Sequence, residues 1–239
     1  MTIPTDDRPY VQLPSTASES RHRVYEVLAR LGILRGFEQH AVLYNMGSKV
    51  RGVYAVRTGI VKICTTTTEG YPCGASPVFP GEPFSLVEAV SQVHYYTSAV
   101  ASTSCSIWFL DQARFFELLN EDHSLSKDVL QLVAGRLLQY VNQTENLVAM
   151  SGSARVAQLI LRAAAEMGLW SSAGIIVDPL PTHEDIAELA GVTRSYVTRM
   201  LNALERVGIV RVYRARITIM DTVRLREISQ LERRMHFGP

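Results

Sequence analysis

Apolar positions change period several times along this chain, and each change predicts a different element. From Ala17 to Leu31, the residues Val24, Val27, Leu28 and Leu31 recur on one side, as a helix with one buried face requires. Gly32 and Gly36 then break the pattern. Between His40 and Asp111 the pattern shortens to alternations such as Val53-Tyr54-Ala55-Val56 and Ile60-Val61-Lys62-Ile63. Gly47, Gly52, Gly59, Gly70, Gly74 and Gly81 punctuate it, which predicts many short strands joined by tight turns. Glu69-Gly70 is a candidate hairpin turn. Helical spacing returns over Arg114–Leu119 and then over Leu125–Met150. In the second helix Leu130, Val133, Leu137, Tyr140, Thr144 and Leu147 alternate spacings of three and four, the seam of a coiled coil. Leu132, Leu138, Val141 and Val148 form a second apolar strip. One strip is expected to face a partner copy and the other the strand-rich region. Ser151-Gly152-Ser153 interrupts the helix as a hinge, and Ala154–Leu169 continues as another helix. Trp170 to Pro181 reads as a connector.

Thr182–Leu204 reads THEDIAELAGVTRSYVTRMLNAL. Ile186, Ala187, Leu189 and Ala190 line one helix; Val197, Met200, Leu201 and Leu204 line a second. Gly191 between them can take the left-handed backbone of a sharp turn, and Ala187 keeps the helices close. Thr182 and Thr193 each stand where a hydroxyl caps a helix N-terminus. This is a helix-turn-helix pattern, and its second helix presents Arg194, Ser195, Tyr196, Thr198 and Arg199. A guanidinium there can neutralise phosphate or hold the O6 and N7 of guanine. Ile209–Val212 and Ile217–Met220 read as strands around Tyr213-Arg214-Ala215-Arg216, a wing whose Arg214 and Arg216 can grip phosphates. Asp221 is placed to cap a last helix over Thr222–Arg234.

The chain has 239 residues and a net charge of only +1, but its cations are unevenly distributed. Lysine is absent from Ser151 onward and arginine supplies every cation there, the local basic face that a phosphate backbone recognises. Cys64, Cys73 and Cys105 match no zinc or iron–sulfur spacing, and no histidine pair has helical ligand spacing, so neither metal nor cofactor is expected. No Ser-His-Asp, Cys-His or paired-carboxylate set argues for catalysis. No apolar run is long enough to span a bilayer, and the N-terminus has no apolar h-region. A cytoplasmic protein with no membrane partner is the expectation.

This order of parts resembles the CRP/FNR superfamily of bacterial transcription regulators. The likeness rests on the glycine-punctuated strands with PGEPF at Pro80–Phe84, the long helix followed by SARVAQLIL at Ser153–Leu161, and the winged helix-turn-helix. The resemblance implies an α+β chain. Residues 1–20 would be a disordered segment and 21–122 an antiparallel β-roll or jelly roll. Residues 123–150 would form a dimerisation helix and 151–239 a winged helix-turn-helix domain. It further implies a homodimer on a near-palindromic double-stranded operator, with RNA polymerase as a partner and an effector near the junction of roll and helix.

Cyclic-nucleotide-binding members hold phosphate with an Arg-Ser pair and ribose with a glutamate. Glu82 is matched to that glutamate, but the phosphate segment reads Tyr95-Tyr96-Thr97, without arginine. The adenine-reading positions on the long helix are matched to Tyr140 and Val141. A buried phosphate without a cation is badly destabilised, which argues against cyclic AMP. The haem-ligand segment of the carbon monoxide sensor reads Ser85-Leu86-Val87, with neither Cys nor His, and the N-terminal cysteine cluster of iron–sulfur members is missing. An apolar or aromatic effector, a redox signal, or no effector remains open, with Phe84, Leu86, Tyr95, Tyr96 and Tyr140 as candidate lining. Arg194 and Arg199 match the family's DNA-reading arginines, while Ser195 stands where a cytosine-reading glutamate is common. The expected function is sequence-specific transcription regulation. The alternatives are an effector-independent regulator and a small-molecule receptor whose helical domain makes protein contacts.

Overall fold

A computed structural model describes the backbone of residues 15–66, 72–91 and 94–230, and the side chains of these except at 15–17, 66, 72–73 and 139–149. Helix α1 (Ser15–Leu31) leads into strands β1 (Ile33–Phe37), β2 (Val42–Tyr44), β3 (Gly52–Thr58), β4 (Val61–Thr66), β5 (Pro72–Val78) and β6 (Pro83–Phe84). A short helix α2 (Leu86–Ser91) precedes β7 (Ser98–Ala101) and β8 (Cys105–Asp111). The strands form two antiparallel sheets, ordered β1-β8-β3-β6 and β2-β7-β4-β5. The period-two pattern explains the burial: in β8, Cys105, Ile107 and Phe109 point inward, while Ser106 and Trp108 are half-exposed between them. Gly59, at φ +83°, makes the turn from β3 to β4 against the Ser104 carbonyl, where an added Cβ would lie 2.3 Å from that oxygen. The candidate turn Glu69-Gly70 falls outside the described residues.

Helices α3 (Gln112–Glu121) and α4 (His123–Ala149) follow the roll, and α1 packs along α4. The expectation of a disordered segment over residues 1–20 is corrected for its last six residues, because α1 begins at Ser15; residues 1–14 fall outside the described residues. Ser20 is fully buried and donates to Asp128 Oδ1 at 2.7 Å, with Gln131 Oε1 2.6 Å from the same hydroxyl. A serine that looks like linker composition is instead a polar tooth in a helix–helix contact.

The C-terminal part contains α5 (Gly152–Met167), β9 (Leu169–Ser171), β10 (Gly174–Val177), α6 (His183–Ala190), α7 (Arg194–Arg206), β11 (Val210–Tyr213), β12 (Arg216–Ile219) and α8 (Thr222–Ser229). Ser151 caps α5 by accepting from the Ala154 N–H. The expected connector is corrected: β9 and β10 are a hairpin that extends the wing into a sheet ordered β11-β12-β10-β9. Its signal was the β-branched run Ile175-Ile176-Val177 after Gly174. Residues 231–239, with Arg233 and Arg234, fall outside the described residues.

Two apolar cores result. One fills the roll and takes in Leu28 of α1, Phe115 of α3 and Leu125 and Val129 of α4. The second lies in the C-terminal domain around Ile160, Ile186, Leu201 and Ile217, and the roll contributes Ile60 and Phe79 to it. The two halves therefore share buried surface.

Candidate nucleic-acid interface and effector cavity

Local chemistry builds the helix-turn-helix. The Thr182 hydroxyl accepts from the Asp185 N–H at 3.1 Å and opens α6; Thr193 accepts from the Tyr196 N–H at 3.2 Å and opens α7. Gly191 closes α6 at φ 62°, ψ 44°, the left-handed conformation the turn demands. Val197, Leu201 and Leu204 are buried beneath α7. On the opposite face Thr193, Arg194, Ser195 and Arg199 are exposed, with Thr182, Tyr196 and Thr198 half-buried beside them.

Two partners were not visible in the sequence. His183 Nδ1 lies 2.9 Å from the Thr198 hydroxyl, so α6 holds α7 beside its exposed face. Arg155 of α5 donates to the carbonyls of Ala190 (2.7 Å), Gly191 (3.0 Å) and Met150 (2.8 Å). One guanidinium thus ties the end of the long helix to the turn before α7. SARVAQLIL carried that arginine, but periodicity cannot reveal contacts made 36 residues away.

The wing arginines differ. Arg214 sits at the tip at φ 53°, exposed, with its guanidinium 5.3 Å from the Tyr213 ring centre. Arg216 is held by Asp178 Oδ2, at 2.9 Å from Nε and 2.6 Å from Nη2, so it anchors the wing to β10. Of the two, Arg214 is the one that makes no salt bridge to a described residue.

On α4, Leu130 and Leu137 are each 65% exposed, seven residues apart on one face. Val133, also expected in the seam, is partly buried against the roll core and lines the cavity described next. It stands between the two faces of the helix, where the roll reaches it. The side chains of Tyr140, Val141, Thr144 and Leu147 fall outside the described residues.

A cavity of about 480 Å³ opens between α1, α2, α4 and the roll. Of the expected effector residues, Glu82, Phe84, Ser85, Leu86, Tyr96 and Thr97 line it. Tyr95 does not. It is 2% exposed, stacks on Tyr44 at 3.8 Å between ring centres, and its hydroxyl meets Tyr54 and the Arg51 N–H. Glu82 is already engaged: it bonds Arg162 at 2.9 Å and Arg21 at 3.4 Å and accepts from the Phe79 N–H. Its carboxylate joins roll, α1 and α5. Ser85 donates to the Gly52 carbonyl. Glu88, which sequence reasoning passed over, is buried in the lining and accepts from Thr97 Oγ1 at 3.0 Å.

Burial pushes the thiols of Cys64 and Cys105 above the ordinary cysteine value, and Ala75 is the residue opposite Cys64 across β4 and β5. Among the described residues no group of three His, Cys, Asp or Glu side chains is arranged to hold a metal ion. No helix among them is long and apolar enough to cross a membrane.

Two family models match the parts so built. A cyclic nucleotide-binding domain matches residues 34–122 and a Crp-like helix-turn-helix domain matches residues 154–228. The global nitrogen regulator of Synechococcus elongatus is 25% identical over 191 residues, covering 79% of this chain and 86% of its own. The CRP-like cAMP-activated global transcriptional regulator of Mycobacterium tuberculosis is 24% identical over 217 residues, covering 84% and 97%. The structure of FixK2 from Bradyrhizobium japonicum superposes with a TM-score of 0.71 at 20% identity, over 83% of this chain and 97% of that one. Such a roll, long helix and winged reader define a DNA-binding transcription regulator. The chain belongs to the CRP/FNR superfamily.

Proposed function

We propose that two copies of this chain pair along α4 and read a near-palindromic double-stranded operator through α7, with occupancy of the cavity setting the spacing of the two readers. The observation that carries the reading is the exposed pair Arg194 and Arg199 on a helix whose opposite face is anchored by Val197, Leu201 and Leu204. Paired through the exposed Leu130–Leu137 face, two such helices would enter successive major grooves about one helical turn apart. Arg199 contacts a base edge, Arg194 and Arg214 contact base or phosphate, and Ser195 makes a less discriminating contact than a carboxylate would. The protein works in the cytoplasm, acts on transcription through contact with RNA polymerase, and performs no covalent chemistry.

Selection of genomic fragments by the purified protein, followed by gel-shift titration, tests this. An inverted repeat is expected. Arg199→Ala should weaken binding to it by about 1–3 kcal/mol, roughly 5- to 150-fold, while leaving affinity for random DNA nearly unchanged. Equal loss on both DNAs reassigns Arg199 to a phosphate. Selection that returns no shared motif overturns the reading.

A further inference from the structure

We propose that the cavity takes a ligand with an ammonium or N–H donor carried on an apolar or aromatic body, the donor bonding Glu88. The inference rests on the cavity being the effector site and names the chemistry of its occupant.

Glu88 projects from α2 and is 7% exposed, yet it forms part of the cavity wall. Thr97 Oγ1 is its side-chain donor among the described residues. A carboxylate offers about four acceptor sites, and burying one with a single donor is costly. The other wall carboxylate is in a different situation, since Glu82 is neutralised by Arg162 and Arg21. No Lys or Arg stands within ion-pair distance of Glu88 among the described residues. The cavity's remaining cations are Arg21, also paired with Glu166 at 3.3 Å, and Arg136 of α4, which has an interaction of its own. The acceptor sites left on Glu88 are therefore filled from the cavity side.

The neighbours reinforce this polarity. Tyr44 lines the same wall, and burial first, then the charge of Glu88, push its phenol well above the ordinary tyrosine value. It stays a neutral hydroxyl. A phosphate or carboxylate seated at Thr97 would meet the Glu88 charge at hydrogen-bond range, and each would raise the cost of ionising the other. An ammonium there relieves the same charge. Phe84, Leu86, Leu132 and Val133 supply apolar wall for the body of the molecule. The volume, about 480 Å³, suits one ring with a short chain.

Calorimetric titration of the full-length protein with 2-phenylethylammonium, 3-phenylpropionate and cyclic AMP tests the proposal. The first two share a shape and differ in charge. The ammonium is expected to bind at least about tenfold more tightly than the carboxylate, and cyclic AMP more weakly than the ammonium. Glu88→Gln keeps an acceptor for Thr97 and should cost the ammonium about tenfold. Circular dichroism confirms its fold, and if it does not fold the three probes on the wild type decide alone. Tighter binding of the carboxylate or of cyclic AMP, no binding of the ammonium at millimolar concentration, or an unchanged preference in folded Glu88→Gln overturns the proposal. Operator gel shifts on the same wild-type sample separate the two readings. Intact specific DNA binding beside failed probes sinks only the ligand class.

Discussion

Asp128 shows how one side chain holds two helices in register. It lies on α4 and accepts from Ser20 and from Arg23 of α1, with Arg23 Nε at 2.6 Å. The hydrogen bond from Arg23 comes first among the causes that hold its carboxyl below the ordinary carboxylate value; burial opposes it, and Ser20 adds to it. A carboxyl lowered on folding stabilises the protein fully above its unfolded pKa, near 4, and loses that contribution as pH falls through the folded value. Asp128→Asn should therefore lower the unfolding free energy by roughly 1–3 kcal/mol at neutral pH. In urea titrations the gap from wild type should stay constant down to about pH 4 and close below it. A gap that widens in acid contradicts the assignment. Residues whose role depends only on neighbours were legible in the sequence: Thr182, Gly191 and Thr193 perform the capping and turning their positions implied. Residues whose role depends on a distant partner were not. Glu82 was singled out by its match to a family glutamate, and nothing local reveals its partner Arg162, 80 residues on. Tyr95 was singled out by its match to the family's phosphate segment, and a match in sequence does not say which face of an aromatic cluster meets a void.

At the scale of elements, the strongly periodic helices were the best read. The long helix runs His123–Ala149 against the expected Leu125–Met150, and the reading helix and its wing lie where turn grammar put them. The hairpin β9–β10 was missed because two strands of three and four residues leave too few alternations to stand out from a loop. Its place as the outer half of the wing sheet is set by pairing with β12. Within α4 the period located the helix but not its partition: Val133 went to the roll while Leu130 and Leu137 stayed at the surface. An exposed leucine pair one heptad apart is the apolar stripe that the proposed pairing of two copies along α4 would cover. Replacing both, Leu130→Glu with Leu137→Glu, should shift the protein from dimer to monomer in sedimentation at micromolar concentration. Affinity for an inverted repeat should fall at least about tenfold, since one reader then loses the benefit of its tethered twin. A double variant that still sediments as a dimer would place the interface elsewhere.

Across the whole molecule, the question is what fixes the DNA-reading domain against the roll. Lys62 of β4 is buried and bonds Asp185 of α6 at 2.7 Å, with Glu188 one turn on as a second partner. Burial works against its charge, but the hydrogen bonds it donates to Asp185 and Glu188 outweigh that, and the ammonium is held above the ordinary lysine value. A base raised on folding stabilises fully below its unfolded pKa, near 10, so this tie is constant through neutral pH and weakens only in strong alkali. Asp185 also accepts from the Thr182 hydroxyl, which places the interdomain tie on the first turn of the helix that supports α7. With Phe79 and Ile60 buried beside it, the roll grips α6 by apolar and ionic contact together. Removing one partner of a buried pair leaves the other charge stranded, at a cost on the order of 3 kcal/mol. Lys62→Met should therefore free the C-terminal domain, seen as faster proteolysis near Ser151–Ser153. Lys62→Met combined with Asp185→Asn should recover part of the loss, a coupling of roughly 1–3 kcal/mol in a double-mutant cycle. The wild-type tie should also resist added salt, because buried pairs are poorly screened. Additive single losses would mean that the apolar contacts hold the domains unaided, and a wild type that opens as readily in high salt as Lys62→Met does in low would mean that the pair is screened by solvent rather than buried.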